Sequence, residues 1–178
     1  FHNSHFQYSR YRMANKFFYF AYGSNLLAKR IHINNPTAVR HDIGQLKNFR
    51  LDFGTYSKRW RGASATIVAE EGAHVWGAIW EIDNCDMANL DHQEGVADKI
   101  YSAQTVDIET PNGTRLKCKV FMSLLDVSPT LASEIPCKIF HTRNTILKGA
   151  VESNLPEEYI QFLKTFPHNG YIGEPDIG

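Results

Sequence analysis

The chain has 178 residues, enough to bury one substantial core and short for two, so a single domain is expected. Lysine plus arginine and aspartate plus glutamate balance at 19 each, which excludes the strong field that favours nucleic acid or an anionic membrane surface. The three cysteines, Cys85, Cys118 and Cys137, lack any Cys-x-x-Cys spacing, and no apolar run approaches the roughly 18 to 20 residues that span a bilayer. Together these features point to a reduced, cytoplasmic protein with a small neutral or zwitterionic substrate and no membrane or nucleic-acid partner.

Residues 1–15 are polar, aromatic and free of acids, and lack apolar periodicity; they read as a weakly ordered extension to a domain spanning 16–178. The aromatic run Phe17 to Tyr22 favours a strand. At Gly23 the chain is expected to turn, and Ser24 or Asn25 to cap a helix from Leu26 to Ile33, leaving free backbone N–H groups at the strand end. Asn34-Asn35-Pro36 ends that pattern, and 38–53 reads as extended, with Ile43, Leu46, Phe49, Leu51 and Phe53 for its buried positions.

A basic loop over 54–62, including Lys58-Arg59-Trp60-Arg61, leads to strands at 63–69 and 74–82. With Glu71-Gly72 as their turn, the two are expected to pair as a hairpin. A helix from Asp83, its cap, to Glu94 follows, with Gly95 as its stop. Residues 101–109 and 115–122 flank Pro111-Asn112-Gly113 and form a second hairpin. Helices over 136–153 and 156–166 complete the chain, Pro156 standing at a first turn. Strands punctuated by a few helices indicate α+β, with an antiparallel or mixed sheet able to close into a small barrel.

Glu94 stands out chemically. It lies four residues after Leu90 and seven after Met87, on the helix face expected to be buried and in the last turn, where the dipole disfavours negative charge. Both effects raise a carboxyl pKa and suit a group that accepts and then donates a proton; a glutamate turned to solvent or paired with Lys99 is the plainer alternative. The junction Tyr22-Gly23-Ser24-Asn25-Leu26 is either an anion-binding loop or simply a helix cap. No Gly-x-Ser-x-Gly elbow surrounds Ser24, which argues against a serine hydrolase, and the scattered histidines argue against a metal site.

Phe-Ala-Tyr-Gly-Ser-Asn-Leu at 20–26 and Asp91-His92-Gln93-Glu94-Gly95-Val96 resemble, in order, the substrate loop and catalytic segment of the γ-glutamylcyclotransferases. The likeness runs from about Phe17 to about Phe166 and takes in Val75-Trp76-Gly77, Gly149-Ala150 and Asn154-Leu155-Pro156. It implies a small barrel with flanking helices, a homodimer, and a lyase of glutathione metabolism that needs no cofactor. The implied reaction cyclises γ-glutamyl amino acids or dipeptides to 5-oxoproline, with Glu94 as acid/base. The Tyr22 to Leu26 loop, with Tyr19 and Ala21 on the approaching strand, would hold substrate. Tyr101 would orient the carboxylate or the substrate, or else pack in the core. Where some members present two further tyrosines, this chain has Phe121 and Thr142, which bears on acceptor preference. An enzyme of the same fold acting on γ-glutamylamines or glutathione, and a non-catalytic binding module, are the competing readings.

Overall fold

A computed structural model describes residues 15–57, 62–124 and 140–166. Five strands, β1 (Lys16–Ala21), β2 (Val39–Ser57), β3 (Gly62–Asp83), β4 (Tyr101–Glu109) and β5 (Arg115–Ser123), close into a barrel in the order β1-β3-β2-β4-β5. Neighbours are antiparallel except at the β1–β5 seam, where Tyr19 lies beside Lys119 in a parallel pairing. The sheet is therefore mixed. Four α-helices are described: α1 (Ala28–Ile31), α2 (Met87–Gln93), α3 (Phe140–Glu152) and α4 (Glu157–Lys164).

One apolar cluster unites strands and helices, with Trp80, Phe20, Phe121 and Ile79 among its fully buried side chains. Successive side chains of a strand point to opposite faces, yet Tyr19, Phe20 and Ala21 are all buried. Both faces of β1 are thus covered at the end that leads into the junction loop.

The long strands depart from expectation. Residues 63–69 and 74–82 do not pair with each other; both belong to β3 and pair with β2, from Ser57↔Gly62 to Val39↔Glu81. The Glu71-Gly72 signal marks an irregularity instead of a reversal. Between the pairs Lys47↔His74 and Phe49↔Ala69, β3 has four residues against Asn48 alone. Asn48 adopts φ 63°, Gly72 φ 80°, and the Gly72 N–H donates to Asn48 Oδ1 at 3.1 Å, which absorbs the extra chain without breaking the ladder. The strands also run further into the expected 54–62 loop than the polar composition suggested, to Ser57 and from Gly62. The basic cluster at 58–61 lies outside the described residues, as do 1–14, the start of the helix expected from Pro136, and Cys137.

Local signals were better guides to chain ends. The second hairpin pairs Tyr101↔Ser123 through Glu109↔Arg115, and Asn112 Oδ1 accepts the Thr114 N–H at 3.0 Å within its turn. After α2, Gly95 adopts φ 67°; its N–H donates to the His92 carbonyl and the Val96 N–H to Asp91, the paired bonds that satisfy a helix C-terminus. Asn154, at φ 56°, ends α3 the same way, with Leu155 buried beyond it.

The predicted first and second helices are both shorter. Residues 26–33 divide into a 3-10 turn, Ser24–Leu26, and the single α-turn α1, because Leu27 between them is extended at φ −83°, ψ 123°. Residues 83–94 divide into a 3-10 turn, Asn84–Asp86, and α2. Asp83 makes no side-chain cap. Its backbone N–H donates to Thr37 Oγ1, whose own hydroxyl donates to the buried Asp86 at 2.6 Å, pinning the start of the Glu94 segment to the loop before β2.

Candidate active site

The site begins where β1 leaves the barrel. Tyr22 is buried and its hydroxyl donates across the barrel to the Phe121 carbonyl at 2.6 Å, so its single proton is already used. Gly23 has φ −112°, so it serves no left-handed turn, and neither Ser24 nor Asn25 caps a helix. Asn25 is buried and turns inward instead. The backbone N–H groups of Gly23, Ser24 and Asn25 bond no acceptor among the described residues, and supply three donors in one short turn.

Asn25 joins the two segments that the sequence singled out. Its Nδ2 donates to Glu94 Oε1 at 3.1 Å and to the Tyr19 hydroxyl at 3.2 Å, and its Oδ1 accepts from Gln93 Nε2 at 3.1 Å. Glu94, partly buried, follows α2 directly as its C-terminal cap residue. A neutral amide thus fixes one carboxylate oxygen without adding a counter-charge. Tyr19 accepts from Asn25 and commits its own proton to no acceptor among the described residues.

Three tyrosines share this environment, all held neutral. Burial pushes the Tyr19 phenol well above its ordinary range and the nearby charge of Glu94 adds to the effect. Burial does the same for Tyr22, assisted by Tyr101 and Glu94. Tyr101 is pushed up to about 12, chiefly by burial, although its bond to Ser64 opposes the shift. Its hydroxyl donates to the Ala65 carbonyl at 2.7 Å and lies 3.0 Å from Ser64 Oγ. A backbone carbonyl only accepts, so the one phenolic proton is held by β3, which favours the packing role over carboxylate orientation.

The junction loop is braced from behind. Arg40 Nη2 donates to the Leu26 carbonyl at 3.1 Å and to Glu152 Oε1 at 2.5 Å, and that same Oε1 accepts the Ala28 N–H at 2.9 Å. Ser153 Oγ donates to the Leu26 carbonyl as well. Two of these bonds occupy the Leu26 carbonyl, the acceptor that a continuous 26–33 helix would offer to the Arg30 N–H. Gly149 lets α3 approach closely, since a Cβ there would fall 2.6 Å from the Leu27 nitrogen.

Known proteins similar to this chain agree on its kind. Residues 74–163 match the model of the AIG2-like family. Over 162 residues, covering 89% of this chain and 82% of the relative, the sequence is 37% identical to the mouse (Mus musculus) protein named γ-glutamylcyclotransferase. The human (Homo sapiens) protein of that name is 36% identical over the same shares. The chain belongs to the γ-glutamylcyclotransferase family. A solved structure titled γ-glutamyl cyclotransferase, 34% identical, superposes with a TM-score of 0.78 over 90% of this chain and 93% of its own, so the barrel is the family's barrel.

Among the residues that the γ-glutamylcyclotransferase resemblance marked, Tyr19, Asn25 and Glu94 converge directly, and Gly23 and Ser24 flank them, both partly exposed. Ala21 and Leu26 are fully buried and support the loop from beneath. Phe121 is buried with its ring edge-on to Tyr19, centroids 5.9 Å apart, so an apolar wall stands beside that phenol. The side chain of Thr142 lies outside the described residues. Sequence reasoning missed Gln93, Asn35, Arg40 and Glu152. Gln93 sat inside the quoted motif, but nothing in spacing reveals that Arg40 and Glu152, 112 positions apart, meet behind Leu26.

Proposed function

We propose that this chain is a γ-glutamylcyclotransferase that converts γ-glutamyl amino acids or dipeptides to 5-oxoproline and the free amino acid or peptide, with Glu94 as its proton carrier. The observation that carries the reading is the 3.1 Å bond from Asn25 to Glu94, which brings a loop rich in free N–H groups against one carboxylate from 69 residues away. Neither hydrolysis nor an enzyme nucleophile is required.

Glu94 takes a proton from the substrate's α-ammonium group, and the freed amine attacks the substrate's own γ-carbonyl carbon. A tetrahedral oxyanion forms, for which Tyr19 and the Gly23 to Asn25 N–H groups are the available donors. Glu94 then returns its proton to the departing nitrogen and the original amide C–N bond breaks; the attacking nitrogen gives up its second proton, by way of Glu94, to the released amine, and the neutral five-membered lactam leaves. Acid/base action is typically worth about 10² to 10⁴ in rate, and orientation of an intramolecular reaction reaches effective molarities of about 10⁵ to 10⁸ M. Positioning is therefore the larger part of the catalysis, and the braced loop is the element suited to it.

Replacing Glu94 with Gln tests this directly. The variant is expected to fold, to bind γ-glutamyl-alanine, and to lose 5-oxoproline release by 10² or more; near-normal turnover would refute the assignment. A panel of γ-glutamyl-alanine, glutathione and γ-glutamyl-ε-lysine measures acceptor preference, and wild-type binding without turnover on all three would indicate a non-catalytic module. The same reading carries a homodimer and a reducing, cytoplasmic location, which sedimentation and cell fractionation test.

A further inference from the structure

The amide of Asn25 has two ends of opposite polarity, and Glu94 needs the donating one. An isolated asparagine can present either, since its two ends are nearly the same shape. Here a line of amides determines the choice. Asn35, fully buried, directs its Nδ2 to the Ile31 carbonyl at 3.4 Å and to Gln93 Oε1 at 3.1 Å. Gln93 Nε2 then donates to Asn25 Oδ1, and Asn25 Nδ2 donates to Glu94 and Tyr19.

The polarity of the line is set at both ends by groups that act toward it as acceptors. At one end stands the Ile31 backbone carbonyl, at the other Glu94 Oε1. Turning Gln93 or Asn25 over would place oxygen against oxygen at one contact and N–H against N–H at another, and turning Asn35 over would set its Oδ1 against both the Ile31 carbonyl and Gln93 Oε1. Asn35 accepts no hydrogen bond at Oδ1 among the described residues, so its position in the core uses its donors and leaves its acceptor unsatisfied.

We infer that Gln93 and Asn35 are positioning residues for the cyclisation: through Asn25 they fix which end of an amide faces Glu94. The inference rests on the reading of Glu94 as proton carrier. Gln93 adjoins Glu94 in sequence but acts on it by way of a residue from the opposite side of the site. Asn35 holds Gln93 in place and touches neither Asn25 nor Glu94 through any of its hydrogen bonds described above.

Gln93→Glu supplies the test, because it keeps shape and exchanges a donor for an acceptor. A carboxylate facing Asn25 Oδ1 drives the Asn25 amide to turn over, which puts its oxygen toward Glu94 and adds a like charge nearby. Both changes disfavour ionised Glu94, so the acid limb of the kcat profile moves up by about one unit, and kcat on that limb falls by up to about tenfold. Gln93→Met removes the donor without charge; kcat falls by about threefold to tenfold with KM nearly unchanged. Asn35→Leu gives a smaller loss in the same direction.

Each variant is read by 5-oxoproline release against pH beside its thermal melting curve. Loss of kcat that follows the loss of melting temperature, with an unmoved acid limb, would overturn the relay and leave these amides as packing. So would unchanged kcat in both Gln93 variants. Glu94→Gln, assayed in parallel, separates the two readings: if it remains active, the proton-carrier role fails first, whereas an inactive Glu94→Gln beside unperturbed Gln93 variants refutes the relay alone.

Discussion

Adding one methyl group at Gly149, where α3 meets the junction loop, is expected to damage catalysis through the loop it presses on. A Cβ at this position falls 2.5 Å from Leu26 Cβ, 2.6 Å from the Leu26 carbonyl carbon and 2.6 Å from the Leu27 nitrogen. An unstrained contact needs about 3.5 Å, so helix and loop must separate by about 0.9 Å. Two of the three contacts are backbone, so no rotamer change relieves them. The loop is also tied to α3 by Glu152 and Ser153, so the strain is carried into the turn that holds Asn25. Overpacking of this kind costs about 1 to 3 kcal/mol, a fall in melting temperature of roughly 2 to 12 °C for a domain of this size. Displacement of positioning groups by about 1 Å can cost 10² in rate. Gly149→Ala is therefore expected to lower kcat/KM for 5-oxoproline release by about ten- to a hundredfold at a temperature where the variant remains folded. Trimming Leu26 to Ala in the same protein should not restore activity. A folded Gly149→Ala protein with kcat/KM within about twofold of wild type would refute the claim that α3 sets the loop's position.

Two further predictions concern titration. Burial opposes ionisation of Glu152, but the Ala28 N–H and Arg40 together hold its carboxyl below the ordinary value of 4.5. A depressed folded-state pKa contributes stability that is complete above the unfolded value and is lost as pH falls through the folded one. The difference in melting temperature between wild type and Glu152→Gln should hence be constant above about pH 5.5 and narrow below pH 4.5; a difference that grows toward acid would contradict the clamp. Tyr101, pushed up to about 12 by burial, stays protonated throughout the working range. Tyr101→Phe should leave the basic limb of the rate profile in place while costing about 0.5 to 1.5 kcal/mol in stability for the lost bond to Ala65, and a displaced basic limb would restore a catalytic role for the phenol.

The candidate site was legible in unequal parts. Glu94 was visible because a carboxylate at the spacing of Leu90 and Met87 conflicts with its helix face, and Gly95 because only a stop signal explains it there. Asn25 was visible as a polar residue after a glycine, but its expected tasks were a helix cap or, by the family resemblance, a substrate contact. The structure gives that amide to Glu94, Tyr19 and Gln93, and leaves the helix start to Glu152. The Glu71-Gly72 signal misled for a related reason. A glycine after two acids marks a place where the backbone departs from regular extension, without saying whether the chain reverses or bulges. Asn48, on another strand, supplied the partner that decided for a bulge.

The sequence by itself determined what depends on near neighbours along the chain. The turn at Pro111-Asn112-Gly113, the stop at Gly95, the strand character of the aromatic run and the isolation of Glu94 on an apolar face all follow from backbone preference and periodicity over a few residues. Tertiary structure decided whatever required two distant segments to meet. Closure of the barrel at Tyr19 and Lys119, the brace of Arg40 and Glu152 behind the loop, and the line of amides from Asn35 to Glu94 have no local signature. A hydrogen bond depends on distance and angle in space, and a polar side chain reads alike in the sequence whether its partner is solvent or an atom brought to it by the fold.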